Sequence, residues 1–132
     1  MGKQLKLLVI EDDPADFLML ERHLRQHRVV AACTRVDCDS GLEAALQQEW
    51  DVVLSDYSVP GMEFRASLRR IQAQREDLPV ILVSGSVGEE TAVELLHLGL
   101  TDFILKEHLA RLPSAIARAL DAASEHRARR DD

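Results

Sequence analysis

LKLLVIEDDPAD, residues 5–16, begins as an apolar run, turns acidic at Glu11-Asp12-Asp13, and starts a helix at Asp13-Pro14. Leu5 to Ile10 is short and rich in Leu, Val and Ile, which reads as a strand. Asp13 suits an N-cap and Pro14 the first helical position. Phe17, Leu20 and Leu24 then recur at helical spacing to about His27. A strand that ends in acids and passes directly into a helix is the opening of a β-α-β unit.

The same figure repeats along the chain. Val29 to Val36 reads as strand 2, and Ser40 with Glu43 three residues on forms a capping box that opens helix 2 through Leu46. DVVLS, residues 51–55, is strand 3 and leads into the turn-rich DYSVPG, residues 56–61. Leu68 and Ile71 mark helix 3, PVILV (79–83) is strand 4, and Ser84-Gly85-Ser86-Val87-Gly88 is a flexible loop. Helix 4 carries Val93, Leu95, Leu96 and Leu98 and stops at Gly99, the left-handed C-terminal position. DFIL (102–105) is strand 5, and helix 5 runs from about Pro113 to near the end. Five near-continuous Val/Ile/Leu strands alternating with five helices predict an α/β fold: a doubly wound, five-stranded parallel sheet of flavodoxin-like topology. In such a sheet ligands bind at the carboxyl ends of the strands.

Composition narrows the function. A length of 132 residues gives one domain with a core of its own. The formal charge of −7, from 16 Lys plus Arg against 23 Asp plus Glu, argues against direct nucleic-acid binding. The basic cluster Arg127-Ala128-Arg129-Arg130 stands beside Asp131 and Asp132 and reads as a solvated helix end. No apolar run approaches the roughly 20 residues of a membrane span. Met1-Gly2 is followed by neither a signal-peptide pattern nor the Ser/Thr of a myristoylation motif, so a cytoplasmic protein without membrane contact is expected. Cys33 and Cys38 lack zinc-type spacing and are expected to be buried or half-buried, inert thiols. The five histidines, 23, 27, 97, 108 and 126, share no metal-type spacing and are expected at the surface.

The chemistry lies where the strands end. Strand 1 ends in Glu11-Asp12-Asp13, strand 3 in Asp56, strand 4 in Ser84 and strand 5 in Lys106. Carboxylates gathered at one edge repel each other unless a cation sits among them, and a hard divalent ion with oxygen ligands, Mg²⁺, suits them best. A hydroxyl and an ammonium facing the same point suggest that an anion arrives there. Phosphoryl transfer needs that set: a carboxylate nucleophile, a metal, and donors for the equatorial oxygens.

LLVIEDDPAD, LSDYSVPGM, PVILVSGSVGEE and DFILKEHLARL resemble, in order and spacing, the signature segments of response-regulator receiver domains of two-component signalling. The resemblance covers essentially residues 5 to 120, within a single receiver domain spanning 1–132 whose residues 121–132 extend helix 5 or form a tail. It implies that Asp56 is the phosphoacceptor, served by Mg²⁺. Asp12 is then a direct metal ligand, Glu11 acts through water, and Ser58 offers its backbone carbonyl. Ser84 matches the hydroxyl that binds the phosphoryl oxygen and moves on activation. Lys106 pairs with the phosphate, and Phe103 is the aromatic whose rotamer reports the switch. The protein is then a phosphoacceptor that catalyses only its own phosphorylation and dephosphorylation. Its upstream partner is a sensor histidine kinase or a phosphotransfer protein. Its output lies in a partner, in a parent polypeptide, or in a second copy as a homodimer.

Blander readings stand beside these. Asp13 reads as a helix cap, Phe103 fits equally as a core residue, and Lys106 rests on the constellation around it. Phe64 stands where the family has glycine, so either the loop before helix 3 takes another path or Phe64 projects outward. Glu107 replaces a cis-forming proline, and KEHLARL resembles the variant found in receivers that accompany sensor histidine kinases. A haloacid-dehalogenase-type phosphatase would need an acid two residues after its nucleophile, where Ser58 stands. A receiver-like scaffold that binds without phosphorylation is the remaining alternative, although every chemical position is filled.

Overall fold

The structure is a computed structural model that describes the backbone of residues 4–131 and the side chains of residues 4–129. The Met1-Gly2 terminus, the side chains of Arg130 and Asp131, and Asp132 lie outside the described residues. The strands are β1 (Leu5–Ile10), β2 (Ala31–Val36), β3 (Val52–Ser55), β4 (Val80–Ser84) and β5 (Asp102–Leu105). They pair parallel throughout in the order β2-β1-β3-β4-β5. The helices are α1 (Pro14–Gln26), α2 (Asp39–Ala45), α3 (Phe64–Gln74), α4 (Glu89–His97) and α5 (Leu112–Asp131), with a 3₁₀ segment, Lys106–Arg111, leading into α5.

Side-chain alternation along each strand divides the core in two. Leu7 and Val9 of β1, with Leu54, Val83 and Ile104, pack under α1 and α5 against Leu20, Leu24, Leu112 and Ile116. Leu8 and Ile10, with Val53 and Leu82, pack under α2, α3 and α4 against Leu42, Leu68, Ile71 and Leu95. The doubly wound sheet expected from the sequence is the sheet found. Its central strands are buried on both faces, each Leu, Ile or Val side chain contributing about 1.5–3 kcal/mol.

Several local expectations change. β2 starts at Ala31 because Arg28, at φ 61°, turns the chain out of α1 and the Val29 N–H still bonds the Leu24 carbonyl. The Ser40–Glu43 capping box does not form. Cys38 is the N-cap of α2, its Sγ accepting from the Gly41 N–H at 3.3 Å, and Ser40 lies inside the helix. Cys38 is therefore exposed, against expectation, whereas Cys33 is half-buried and burial pushes its thiol up to about 11. Of the helix 4 residues, Leu95 is buried while Val93, Leu96 and Leu98 are exposed. Gly99 does terminate α4, at φ +105°, and an added Cβ would run into the Gln72 amide nitrogen. His23 is half-buried and stacks on His27 at 4.1 Å; the other histidines are exposed. No described helix is long and apolar enough to cross a membrane.

Candidate functional site

Parallel register carries the strand ends to one edge. The Asp56 N–H bonds the Ile10 carbonyl at 2.9 Å, which sets Asp56 beside Glu11. Glu11 is anchored through its own backbone: its N–H bonds the Val36 carbonyl at 3.0 Å, and its carbonyl accepts from the Arg35 guanidinium at 3.1 Å. Asp13 caps α1, Oδ1 accepting from the Ala15 N–H at 2.9 Å, as the sequence indicated. One carboxylate oxygen from each of Glu11, Asp12 and Asp56 lies within 4.8 Å of the others. Asp13 is not part of that cluster.

Lys106 comes from the far side of the sheet. Its Nζ stands 2.9 Å from Glu11 Oε1, 3.1 Å from Asp56 Oδ2 and 2.6 Å from Asp16 Oδ2. Burial works to lower the Lys106 pKa, but these carboxylates outweigh it and hold the ammonium above the ordinary lysine range. Burial raises the Glu11 carboxyl above its usual value, with the Lys106 hydrogen bond pulling against it and the Asp56 charge adding to it. Asp56 Oδ1 is bound separately, accepting from the Tyr57 N–H at 2.7 Å. The group opens on a cleft of about 440 Å³ that Met19, Leu20 and Leu109 also line.

The remaining expected residues stand on β4, β5 and the loop after β3. Ser84 is buried, at 4 % exposure, as the last residue of β4, in register with Leu105 next to Lys106. Ser58 lies in the exposed loop two residues past Asp56. Phe103 is half-buried against the α2–α3–α4 core. Asp16 is the residue the sequence reading missed. With Asp13 as N-cap it is the third helical residue, and side chains there lean back toward the helix start. That spacing was available in the sequence; its lysine partner, 90 residues away, was not.

A hard divalent cation fits the donor set. Mg²⁺ takes oxygen ligands in octahedral array and keeps several waters, and three clustered carboxylates supply the charge it needs. Phe64 overturns the alternative in which it projects outward, while a backbone path that does not require glycine agrees with the other. It is the first residue of α3, 5 % exposed, with its ring tilted against Tyr57 at a centroid distance of 5.8 Å. The described residues with positive φ are Arg28, Gly61 and Gly99, so position 64 has no need of glycine.

Comparison with known proteins gives one family. Residues 7–117 match the response regulator receiver domain. The C4-dicarboxylate transport transcriptional regulatory protein DctD of Pseudomonas aeruginosa is 34 % identical over 122 residues, 89 % of this chain and 26 % of that protein. NtrX from Brucella abortus superposes with a TM-score of 0.84 at 26 % identity, over 98 % of this chain and 29 % of that one. The receiver domain of a Pseudomonas aeruginosa sensor histidine kinase, solved with a magnesium ion in its active site cleft, superposes with a TM-score of 0.76 at 23 % identity, over 90 % of this chain and 99 % of that one. The chain spans between about a quarter and about half of the length of the curated relatives it matches.

Proposed function

We propose that this chain, which belongs to the response regulator receiver domain family of two-component signalling, takes a phosphoryl group on Asp56 from a sensor histidine kinase or a phosphotransfer protein. Membership makes it a phosphoacceptor signalling module with a histidine kinase upstream, not an enzyme with an outside substrate. One observation carries the assignment of Asp56: from the end of β3, in the open cleft, its carboxylate meets both the Glu11–Asp12 carboxylates, within 4.8 Å, and the Lys106 ammonium at 3.1 Å. Glu11 touches both as well, but it is 5 % exposed and committed to its neighbors, which suits support more than attack.

In this reading Glu11, Asp12, Asp56 and the Ser58 carbonyl hold Mg²⁺, with Asp12 direct and Glu11 through water. The ion supplies positive charge to the oxygens of the transferring group. An Asp56 oxygen displaces the donor from phosphorus, and Lys106 and the Ser84 hydroxyl meet the charge on the equatorial oxygens. Incubation with acetyl phosphate and Mg²⁺ should give a singly phosphorylated protein by intact mass, and chelating the metal should return it to background. Labelling that survives chelation would remove the metal from the reading, and no labelling by any phosphodonor would remove the phosphoacceptor.

Phosphorylation puts about two negative charges where the Asp56 carboxylate had one. Ser84, at the head of a loop containing Gly85 and Gly88, can move toward them with little backbone cost, and Phe103, on the neighboring strand β5, can rotate into the vacated space. The output surface is then that of α4, β5 and α5, where Val93, Leu96 and Leu98 are 45–48 % exposed. Arg65 ties this surface to the site, bonding the Tyr57 hydroxyl at 3.2 Å and Glu94 of α4 at 2.9 Å. An output partner, a segment of a parent polypeptide or a second copy would dock there. Residues 5–120 serve as the receiver core, since Ala119 is the last of the described residues of α5 to be buried, and α5 runs on past it to Asp131. With beryllofluoride as phosphoryl mimic, the wild-type NMR shifts should reach α4 and Phe103, whereas Ser84→Ala should confine them to the site. Wild-type shifts confined to the site would favor the scaffold reading.

A further inference from the structure

Asp16 is the one carboxylate at the site that the phosphoacceptor chemistry leaves without a task. It is the third residue of α1, outside the Glu11–Asp12–Asp56 cluster, and it makes the shortest contact to Lys106 Nζ, 2.6 Å against 2.9 Å for Glu11 and 3.1 Å for Asp56. An ammonium has three protons to donate, so Glu11, Asp16 and Asp56 together saturate it.

We infer that Asp16 is a positioning residue that acts as a brake, competing with the phosphoryl group on Asp56 for the Lys106 ammonium; this rests on Asp56 being the acceptor. Phosphorylation replaces one carboxylate charge by about two, and Lys106 is the described cation in contact with Asp56. Asp16 takes a share of that cation before any phosphoryl group arrives. Two consequences of removing it oppose each other. The lysine loses an anchor, but Glu11, itself 5 % exposed, still holds it at 2.9 Å, so little orientation is lost. The ammonium also recovers the proton that Asp16 held, so its charge is free to meet the incoming anion, and that effect is the larger. Asp16, whose side chain is 36 % exposed, can give up the contact to water without stranding a buried charge.

The test is an NMR titration with beryllofluoride at saturating Mg²⁺ on the full chain. Asp16→Asn should bind the mimic about three- to fivefold more tightly than wild type, the range for a partly exposed charge pair. Asp16→Glu should restore wild-type affinity, and the gain should vanish in a Lys106→Met background. Asp16→Ser is carried in parallel as a second neutral variant, so that a folding defect in one leaves the other to decide. Equal or weaker binding by both neutral variants overturns the brake, as does a gain that persists undiminished without the lysine. If wild type takes up beryllofluoride, those outcomes refute Asp16 alone. If wild type with Mg²⁺ takes up none, the phosphoacceptor reading of Asp56 fails and the brake with it.

Discussion

Asp56→Asn is expected to reduce phosphoryl labelling to background while leaving the fold intact. The substitution is nearly isosteric, but an amide has no anionic oxygen to attack phosphorus. The bond that places the residue, from its backbone N–H to the Ile10 carbonyl at 2.9 Å, does not involve the side chain. Lys106 loses one ionic partner of three and keeps Glu11 and Asp16. Glu11 is relieved of a neighboring charge that raises its pKa, so resistance to urea should hold or improve. Mass mapping after acetyl phosphate treatment, alongside urea unfolding, checks both halves. Undiminished labelling of the variant would move the acceptor elsewhere; lost labelling with lost stability would mean that the carboxylate holds the strand end together.

The sheet was legible because its strands are short, apolar on both faces and separated by helix starts with readable caps. LKLLVI followed by Asp13-Pro14 gave β1 and α1 almost to the residue. The cap of α2 was misread for a local reason: Ser40 and Glu43 have the right spacing, but the chain enters the helix earlier and Cys38, a weak acceptor, takes the N-cap place. β2 was extended too far because Val29 and Val30 are apolar, although Val30 is 64 % exposed and the turn is set by Arg28. In the site, each residue that ends a strand could be found from the strand itself. Asp16 could not, since its role depends on a lysine brought to it by the fold.

Phe64 shows how far a departure from a family pattern can be read. If the loop before α3 followed the glycine-bearing path, Phe64→Gly would be neutral or stabilizing. The structure predicts the reverse. Glu63 caps α3, its carboxylate accepting from the Ala66 N–H at 2.7 Å, so the helix begins at Phe64 in ordinary helical backbone. The ring is buried among the cluster that holds Val59 and Leu68 and rests against Tyr57. Phe64→Ala should therefore cost about 3–5 kcal/mol, the range for emptying a buried aromatic site, and Phe64→Gly should cost at least as much. Urea unfolding measures both, and a loss below about 1 kcal/mol for Phe64→Ala would mean that the ring is not a core element. The effect should extend past stability. Tyr57 follows Asp56 directly, and its hydroxyl receives Arg65, which in turn holds Glu94 of α4. Without the ring beneath it, the loop carrying Tyr57 and Ser58 loses its floor. Phosphoryl labelling of Phe64→Ala should fall but persist where the protein remains folded, because Asp56 and Lys106 are set by the ends of β3 and β5 rather than by that loop.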